Sequence, residues 1–567
     1  MVLVTDLVAD VLVNAGIDHV FGLPGGYTQF LLGACHKKEG IKVITARHEG
    51  SAAAMADMYG RITGKPGVLM GQGAWVGSNG AFGIMEAFFA GSPMLIITDV
   101  SDWDELSQQG TYQCGSGDYG NVDLLGVFKS MTKYFTYATT PEEVVYGTQL
   151  AIKHAISGRP GPSCVLTKKG SIGGVINEVE KLDPPFYSVE KLLNVNPPSI
   201  SKEDTEKAVD LLLDAKNPLM ICGRGARVSG AYDEVVQLAE LLGMPVATSY
   251  MGKSIIPETH DLALGVMGSR GQPLANKTIG NADTILAVGT ALAPENTNNC
   301  SKTFIDTSKQ QIIQIDIEPK NVGWTYPVSL GITSDAKLAL KNILSTIRSI
   351  NPNVDAQSRM QKLKEFKGDP ENKFFTNKYY NSDKEPIEPE RVVKEINEVI
   401  REDDTIVLDA GNNRIWFCSL FRSKSPGQVI APGGAAGMAW GPNAAIAAQM
   451  LKKDKKVISV TGDGGLLMSL YTLETVRAYE LPILYVVLNN SSLGNVRDFF
   501  SRKERSLAEY PETNFANVAE SMGISGIRVE SIENLRSALE KGLNADQPTL
   551  IDIVVKRASH LRVRTSL

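Results

Sequence analysis

The sequence offers few of the features that identify a protein at once. Of 567 residues only six are cysteine, at positions 35, 114, 164, 222, 300 and 418, and none forms a Cys-x-x-Cys pair. This pattern argues against a thiolate zinc site and against a disulfide framework. It suits a reducing compartment, so a cytoplasmic protein is expected. Six histidines are present and no two are adjacent. No charge-free apolar run reaches about 18 residues, and no membrane span is expected. Positive charge is not in excess: 57 Lys and Arg stand against 63 Asp and Glu, a net charge of −6, so no electrostatic footprint for nucleic acid is visible. The opening MVLVTDLVADVLVNAGIDHVFG carries Asp6 and Asp10 inside its apolar stretch and reads as an amphipathic helix, not a secretion signal.

What is present is ordinary globular composition on a chain too long for one core. Helical patterns alternate with short apolar strands in three blocks, which predicts α/β architecture with parallel sheets in each. The first block, 1–180, has the strands IKVITAR, GVLMG, PMLIITDV and PSCVLTK. The second, 195–350, has NPLMICG, MPVATSY, TILAVGT and IIQIDI. The third, 385–560, has DTIVLDAG, KVISVTGDGG, PILYVVLNN and PTLIDIVV. Proline- and charge-rich stretches separate the blocks and read as linkers.

The stretch TGDGGLLMSLYTLETVRAYELPILYVVLNN, residues 461–490, carries the chemistry. KVISV predicts a buried strand ending at Gly462. Leu466, Leu467, Leu470, Leu473 and Val476 follow at helical spacing, and LPILYVVL predicts a second strand. A strand–helix–strand crossover brings both strand ends to one sheet edge, so Asp463 and Asn490 are expected side by side although 27 positions apart. A helix beginning near Gly465 would aim its free N–H groups at the same spot, and Gly462, Gly464 and Gly465 would let a phosphate approach the backbone. One carboxylate, one amide oxygen and a positive helix end suit a diphosphate bridged by Mg²⁺.

Gly-Asp-Gly followed by Asn-Asn after 24 residues resembles the signature of thiamine diphosphate (ThDP) enzymes. The resemblance extends along nearly the whole chain and is strongest to the acetohydroxyacid (acetolactate) synthase large-subunit group. It implies three doubly wound α/β domains: pyrimidine-binding, central Rossmann-like and diphosphate-binding. It implies that Asp463, Asn490 and Ser492 hold Mg²⁺. In VITARHEGSAAAMADMYG it implies that Glu49 bonds the cofactor's aminopyrimidine and promotes its activation. In PGGAAGMAWG, Gly437 and Met438 match the segment that bends the cofactor. In LDAGNNRIW, Gly411, Asn412 and Asn413 match the loop that holds the diphosphate. It further implies a homodimer or homotetramer with the site between subunits.

Several positions depart from that group. The Gly-Pro-Gly of its loop before a helix is replaced in GQGAWVGSN by Ala74, Trp75 and Val76, with Asn79 kept. The pocket Phe-Gln pair falls on Tyr119 and Gly120, the acceptor-selecting tryptophan on Phe499, and VGTALAPENTNN lacks the acceptor-selecting arginine. The absence of a His-His pair sets the chain apart from pyruvate decarboxylase-type enzymes and leans toward carboligation. The substrate pocket is assigned to Gly26, Tyr27, Gln72, Trp75, Tyr119 and Phe499. The expected reaction is decarboxylation of a 2-oxo acid and carboligation. The alternatives are a 2-hydroxyacyl-CoA lyase, a sulfoacetaldehyde acetyltransferase-like enzyme and a diketone hydrolase, and, from other classes, a non-catalytic ThDP-binding protein or a flavin oxidase. ICGRGARVSG leaves FAD open in the central domain, and the basic end VKRASHLRVRTSL reads as a solvated tail or as a flap over an anionic substrate.

Overall fold

The computed structural model of the chain describes residues 1–102, 113, 115, 122–182, 193, 196–369 and 372–560. Internal packing divides it into two compact units. One comprises Met1–Asn196, Pro432–Lys453 and Leu467–Ile483; the other comprises Pro197–Ala431, Asp454–Leu466 and Leu484–Leu567.

The first unit opens with β1 (Val2–Leu3) and the amphipathic helix Val4–Asn14, which buries Val4, Val8, Val11 and Leu12. Its sheet contains β2 (His19–Gly22), β3 (Lys42–Thr45), β4 (Gly67–Gly71), β5 (Met94–Asp99), β6 (Tyr134–Ala138) and β7 (Pro162–Thr167), all parallel, in the order β3-β2-β4-β5-β7-β6. A short β8 (Val175–Ile176) pairs antiparallel with β1. The helix Glu49–Thr63 is nearly all buried and packs on the helix Trp440–Leu451. Both are rich in Ala and Gly, and the helix Ala81–Ala90 also packs on Glu49–Thr63, so closely that a Cβ on Gly83 would stand 2.6 Å from the Ala53 backbone.

The second unit holds two parallel sheets. One has β9 (Pro218–Cys222), β10 (Val246–Thr248), β11 (Ala263–Val266), β12 (Thr284–Val288), β13 (Gln311–Asp316) and β14 (Leu330–Thr333), in the order β11-β10-β9-β12-β13-β14. This is the doubly wound order whose switch point lies between β9 and β12. The other has β15 (Thr405–Leu408), β16 (Val429–Ile430), β17 (Val457–Gly462), β18 (Leu484–Asn489), β19 (Ser525–Val529) and β20 (Thr549–Val554), in the order β16-β15-β17-β18-β20-β19. Its connectivity repeats that of the first unit's sheet. Three six-stranded parallel sheets with flanking helices make the chain an α/β protein, as the alternation predicts. No helix among the described residues is long and apolar enough to cross a membrane.

Three sequence expectations are modified. The single helix expected after Gly465 is two, Asp463–Leu467 and Tyr471–Ala478. The turn between them lets Leu473 and Val476 bury while Leu467 and Met468 stay exposed, so one continuous apolar face is not formed. The polar stretch after residue 350 contains the helix Ala356–Gly368, because Met360, Leu363 and Phe366 recur every third residue and pack on the core around β9–β13. At the β9/β12 switch point the glycines serve backbone packing. Gly225 N donates to Gly289 O at 2.9 Å, and a Cβ on Gly223 would lie 2.3 Å from that oxygen.

Candidate active site

In the second unit, β17 and β18 are parallel neighbours with Gly462 opposite Leu488, so the two chain segments leave the sheet together. Asp463 is 2 % exposed. Its Oδ1 accepts Gly464 N at 2.8 Å, and its Oδ2 accepts Asn490 N at 3.1 Å and Ser492 N at 3.3 Å. Asn490 Oδ1 accepts both the N–H and the hydroxyl of Ser492, at 3.0 and 2.9 Å. The three residues expected to hold a metal therefore converge on one point. Burial pushes the Asp463 carboxyl above its ordinary value, against the pull of the neighbouring Tyr510 phenol and of the N–H groups of Gly464, Ser492 and Ser491. A divalent cation would offset that cost.

Two observations test whether a diphosphate and its metal fit here. A Cβ placed on Gly462 would find no atom within 4 Å, leaving open space at the strand end. The side-chain amide of Asn412 is buried with neither its nitrogen nor its oxygen bonded within the protein, an arrangement folded proteins avoid unless water or a polar ligand completes it. A Cβ on Gly494 would stand 2.9 Å from Asn412 Nδ2 and 3.2 Å from Asn490 Nδ2, so both amides face the same spot. The residues fit the group. Asn413 is placed differently: its Nδ2 donates to Asp409 O at 3.0 Å and Val460 O at 3.2 Å, tying β15 to β17. Gly411 adopts φ +98 just before the helix Asn412–Leu420. Gly465 is glycine for a steric reason, since its Cβ would lie 2.2 Å from Asp409 Oδ2. Asp409 also accepts the Thr461 hydroxyl at 2.9 Å. The sequence expectations pass over Asp409 and Tyr510, although an acid two residues before Gly411-Asn412-Asn413 is a usable signal for Asp409.

In the first unit, Glu49 opens its helix, is 7 % exposed, and accepts a hydrogen bond from Asn79 Nδ2 at 3.0 Å. His48 caps the same helix: its Nδ1 accepts Gly50 N at 3.0 Å, and its ring stacks on Tyr471 at 5.0 Å. A cap with that nitrogen engaged explains His48 without a catalytic role.

Met438 is half-buried on a loop that runs over the helix Ala81–Ala90; a Cβ on Gly437 would meet Phe82 at 2.5 Å. Glu86, on that helix, accepts Gly433 N and Gly434 N at 3.0 Å and Ala436 N at 2.7 Å, and pairs with Arg61 at 2.7 Å. Burial alone would raise the Glu86 carboxyl. The Arg61 guanidinium and the N–H groups of Gly433 and Gly434 outweigh it and hold the carboxyl at about 2. A folded-state value below the ordinary 4.5 gives stability that is present above about pH 4.5 and is lost as pH falls toward 2. The urea midpoint of Glu86→Gln is therefore expected to trail wild type most at neutral pH, and the gap to narrow as pH falls below about 4.5. A gap independent of pH would show that the charge on Glu86 does not stabilise the fold.

The pocket residues divide. Gly26, at φ +57, and Tyr27 follow β2, and Gln72 follows β4. A buried carboxylate unforeseen in the sequence, Asp99 at the end of β5, joins them: it accepts Tyr27 N on one oxygen and Gly73 N, at 3.0 Å, on the other. A Cβ on Gly26 would lie 2.3 Å from Asp99 Oδ2, which explains the glycine. Trp75 is exposed on the helix Gly73–Ser78. Phe499 belongs to the second unit, where it is exposed with its ring 6.0 Å from that of His560. Tyr119 lies outside the described residues. The C-terminal segment is docked up to His560: Arg557 Nε donates to Asn490 O at 2.9 Å, Lys556 pairs with Glu388 at 2.8 Å, and His560 bonds Asp498. Residues 556–560 are thus docked while Lys556 and Arg557 stay exposed to solvent; 561–567 lie outside the described residues.

Comparisons with known proteins bear on the family. Residues 3–118 match the thiamine pyrophosphate enzyme N-terminal TPP binding domain, 205–343 the central domain and 409–553 the C-terminal TPP binding domain. The chain is 32% identical over 562 residues to a "Probable acetolactate synthase large subunit" of Methanococcus aeolicus, covering 96% of this chain and 90% of the relative. It is 31% identical over 559 residues to the protein of the same name from Methanocaldococcus jannaschii, covering 96% and 90%. It is 28% identical over 567 residues to the "Acetolactate synthase isozyme 3 large subunit" of Escherichia coli (strain K12), covering 98% and 95%. With all three domain types present and relatives matched nearly end to end, the chain belongs to the acetolactate synthase large subunit-like family of thiamine pyrophosphate enzymes.

Proposed function

We propose that this enzyme is a ThDP- and Mg²⁺-dependent carboligase that decarboxylates a 2-oxo acid and transfers the remaining acyl unit to a second carbonyl. The observation that carries the reading is the convergence of Asp463, Asn490 and Ser492 beside the unbonded Asn412 amide. In it, Asp463, Asn490 Oδ1 and the Ser492 main-chain oxygen hold the metal, and Gly411, Asn412, Gly462 and Gly464 receive the diphosphate. Asn413 and Gly465 contribute by fixing the strand ends. The bound cofactor supplies an electron sink for carbon–carbon cleavage, which no side chain offers. Glu49 holds a proton at the pyrimidine end, Asn79 orients its carboxylate, and Met438 shapes the bound conformation. Gly26, Tyr27, Gln72, Trp75, Tyr119 and Phe499 select the substrates. A second copy of the chain completes the site, as in the family, where Glu and metal site come from different subunits.

The departures at Ala74–Val76, Tyr119–Gly120 and Phe499 bear on the substrate pair, not on cofactor use. The glycines at the central switch point are explained by backbone packing, so they lend no support to a flavin. The test is incubation with ThDP, Mg²⁺ and pyruvate, assaying carbon dioxide and acetolactate. Release of both is the expected result. Carbon dioxide with free aldehyde would make the enzyme a decarboxylase. Neither product, with ThDP bound, would overturn pyruvate as donor and direct the assay to 2-hydroxyacyl-CoA thioesters.

A further inference from the structure

We propose that Glu86 is a positioning residue that sets the conformation of the Pro432–Met438 loop and, through it, the place of Met438. The inference rests on the reading of Met438 as the residue that shapes the cofactor. Two non-glycine residues flank Met438's position in the left-handed region, Ala436 at φ +53 and Ala439 at φ +73. Such a backbone is costly for alanine and persists only where its surroundings over-determine it. The surroundings here are specific. One Glu86 carboxylate takes three loop donors from a four-residue span, Gly433 N, Gly434 N and Ala436 N. Donors this closely spaced can share one acceptor group only if the chain curls around it.

The carboxylate is itself fixed. It is 1 % exposed and faces Arg61, whose guanidinium also bonds Asp57 Oδ1 at 3.0 Å and Oδ2 at 2.8 Å. Asp57 in turn accepts Trp440 Nε1 at 2.9 Å, and Arg61 lies 4.4 Å from the Trp440 ring. The loop is thus pinned on both sides of Met438: before it by Glu86, after it by Trp440 on Asp57. Arg61 connects the two pins. Two buried carboxylates share the Arg61 guanidinium, and the Trp440 indole and loop N–H groups supply the remaining donors. Gly434 allows the close approach, since a Cβ there would lie 2.7 Å from Glu86 O. Glu86 and Arg61 lie outside the quoted cofactor motifs, so they act through the Met438 segment and not on the reacting atoms.

The test compares Glu86→Gln, Glu86→Asp and Met438→Ala in the full-length protein. Glu86→Asp keeps the charge facing Arg61 but withdraws the carboxylate by one methylene, so it separates loop positioning from folding should Glu86→Gln fail to fold. Without cofactor, amide hydrogen exchange across 432–438 should rise about tenfold or more in both Glu86 variants and stay unchanged in Met438→Ala. With Mg²⁺ present, the dissociation constant for ThDP and the exchange rate of its C2 hydrogen should each worsen about tenfold in the Glu86 variants and in Met438→Ala, and the Glu86→Asp/Met438→Ala double variant should be no worse than Met438→Ala. Wild-type loop exchange in Glu86→Asp, or additive effects in the double variant, would overturn the proposal. If Met438→Ala is impaired and the Glu86 variants are not, the Glu86 inference alone falls. If Met438→Ala binds and activates ThDP as wild type does, the reading of Met438 falls and this inference with it.

Discussion

Glu49→Gln is expected to lower turnover by roughly 10²- to 10⁴-fold while leaving the protein folded. The substitution conserves volume, and the new amide oxygen can still accept the hydrogen bond that Asn79 Nδ2 gives Glu49 at 3.0 Å. The loss is the capacity to hold a proton. Glu49 sits at a helix start in a buried position, so water is a poor substitute for the missing carboxylate. The measurement is steady-state turnover together with the rate of C2 hydrogen exchange on bound ThDP, with circular dichroism as the folding control. Both rates should fall together. Turnover within a few fold of wild type would remove Glu49 from the mechanism.

Asp463→Ala is expected to abolish retention of ThDP at micromolar concentration. The change removes a proposed metal ligand and also strands two backbone donors, the N–H groups of Gly464 and Asn490, and takes from the Ser492 N–H the weaker of its two acceptors. Each stranded donor costs about 1–3 kcal/mol where it stays buried, so the loop that carries Asn490 and Ser492 should loosen as well. Chelation separates the two effects. Stripping divalent cations from the wild-type protein should release ThDP with the fold intact, and added Mg²⁺ should restore it. Asp463→Ala should show no such restoration. ThDP affinity in the variant within tenfold of wild type would place the metal elsewhere.

The cofactor elements were legible in the sequence because their logic is local. A Gly-Asp-Gly at a strand end and an Asn-Asn at the next strand end meet whenever the crossover is right-handed and the strands are neighbours. The β17–β18 register delivers that meeting. Most interior strands were legible for a related reason: buried on both faces, they appear as continuous apolar runs; β2 is the exception, because its four residues close the opening stretch that reads as a helix. The strands that went unrecognised are mostly edges. β6, β14, β16 and β19 sit at the sheet margins, where half-solvated or very short segments leave no run to detect. The helix Ala356–Gly368 escaped notice because three apolar residues are diluted among charged ones.

The sequence by itself determined the α/β class, the cofactor family and the residues that converge on Asp463, since each depends on short-range pattern or on a crossover of fixed hand. Tertiary structure alone decided the rest. It decided that Asn412 keeps an unbonded amide while Asn413 is spent joining two strands. It decided that Asp99 gathers two loops and that Glu86, some 350 positions from Ala436, holds the Met438 segment. The physical reason is common to these cases. A buried carboxylate acts through backbone N–H groups, and every residue type except proline supplies one, so the partner's sequence carries no trace of the bond.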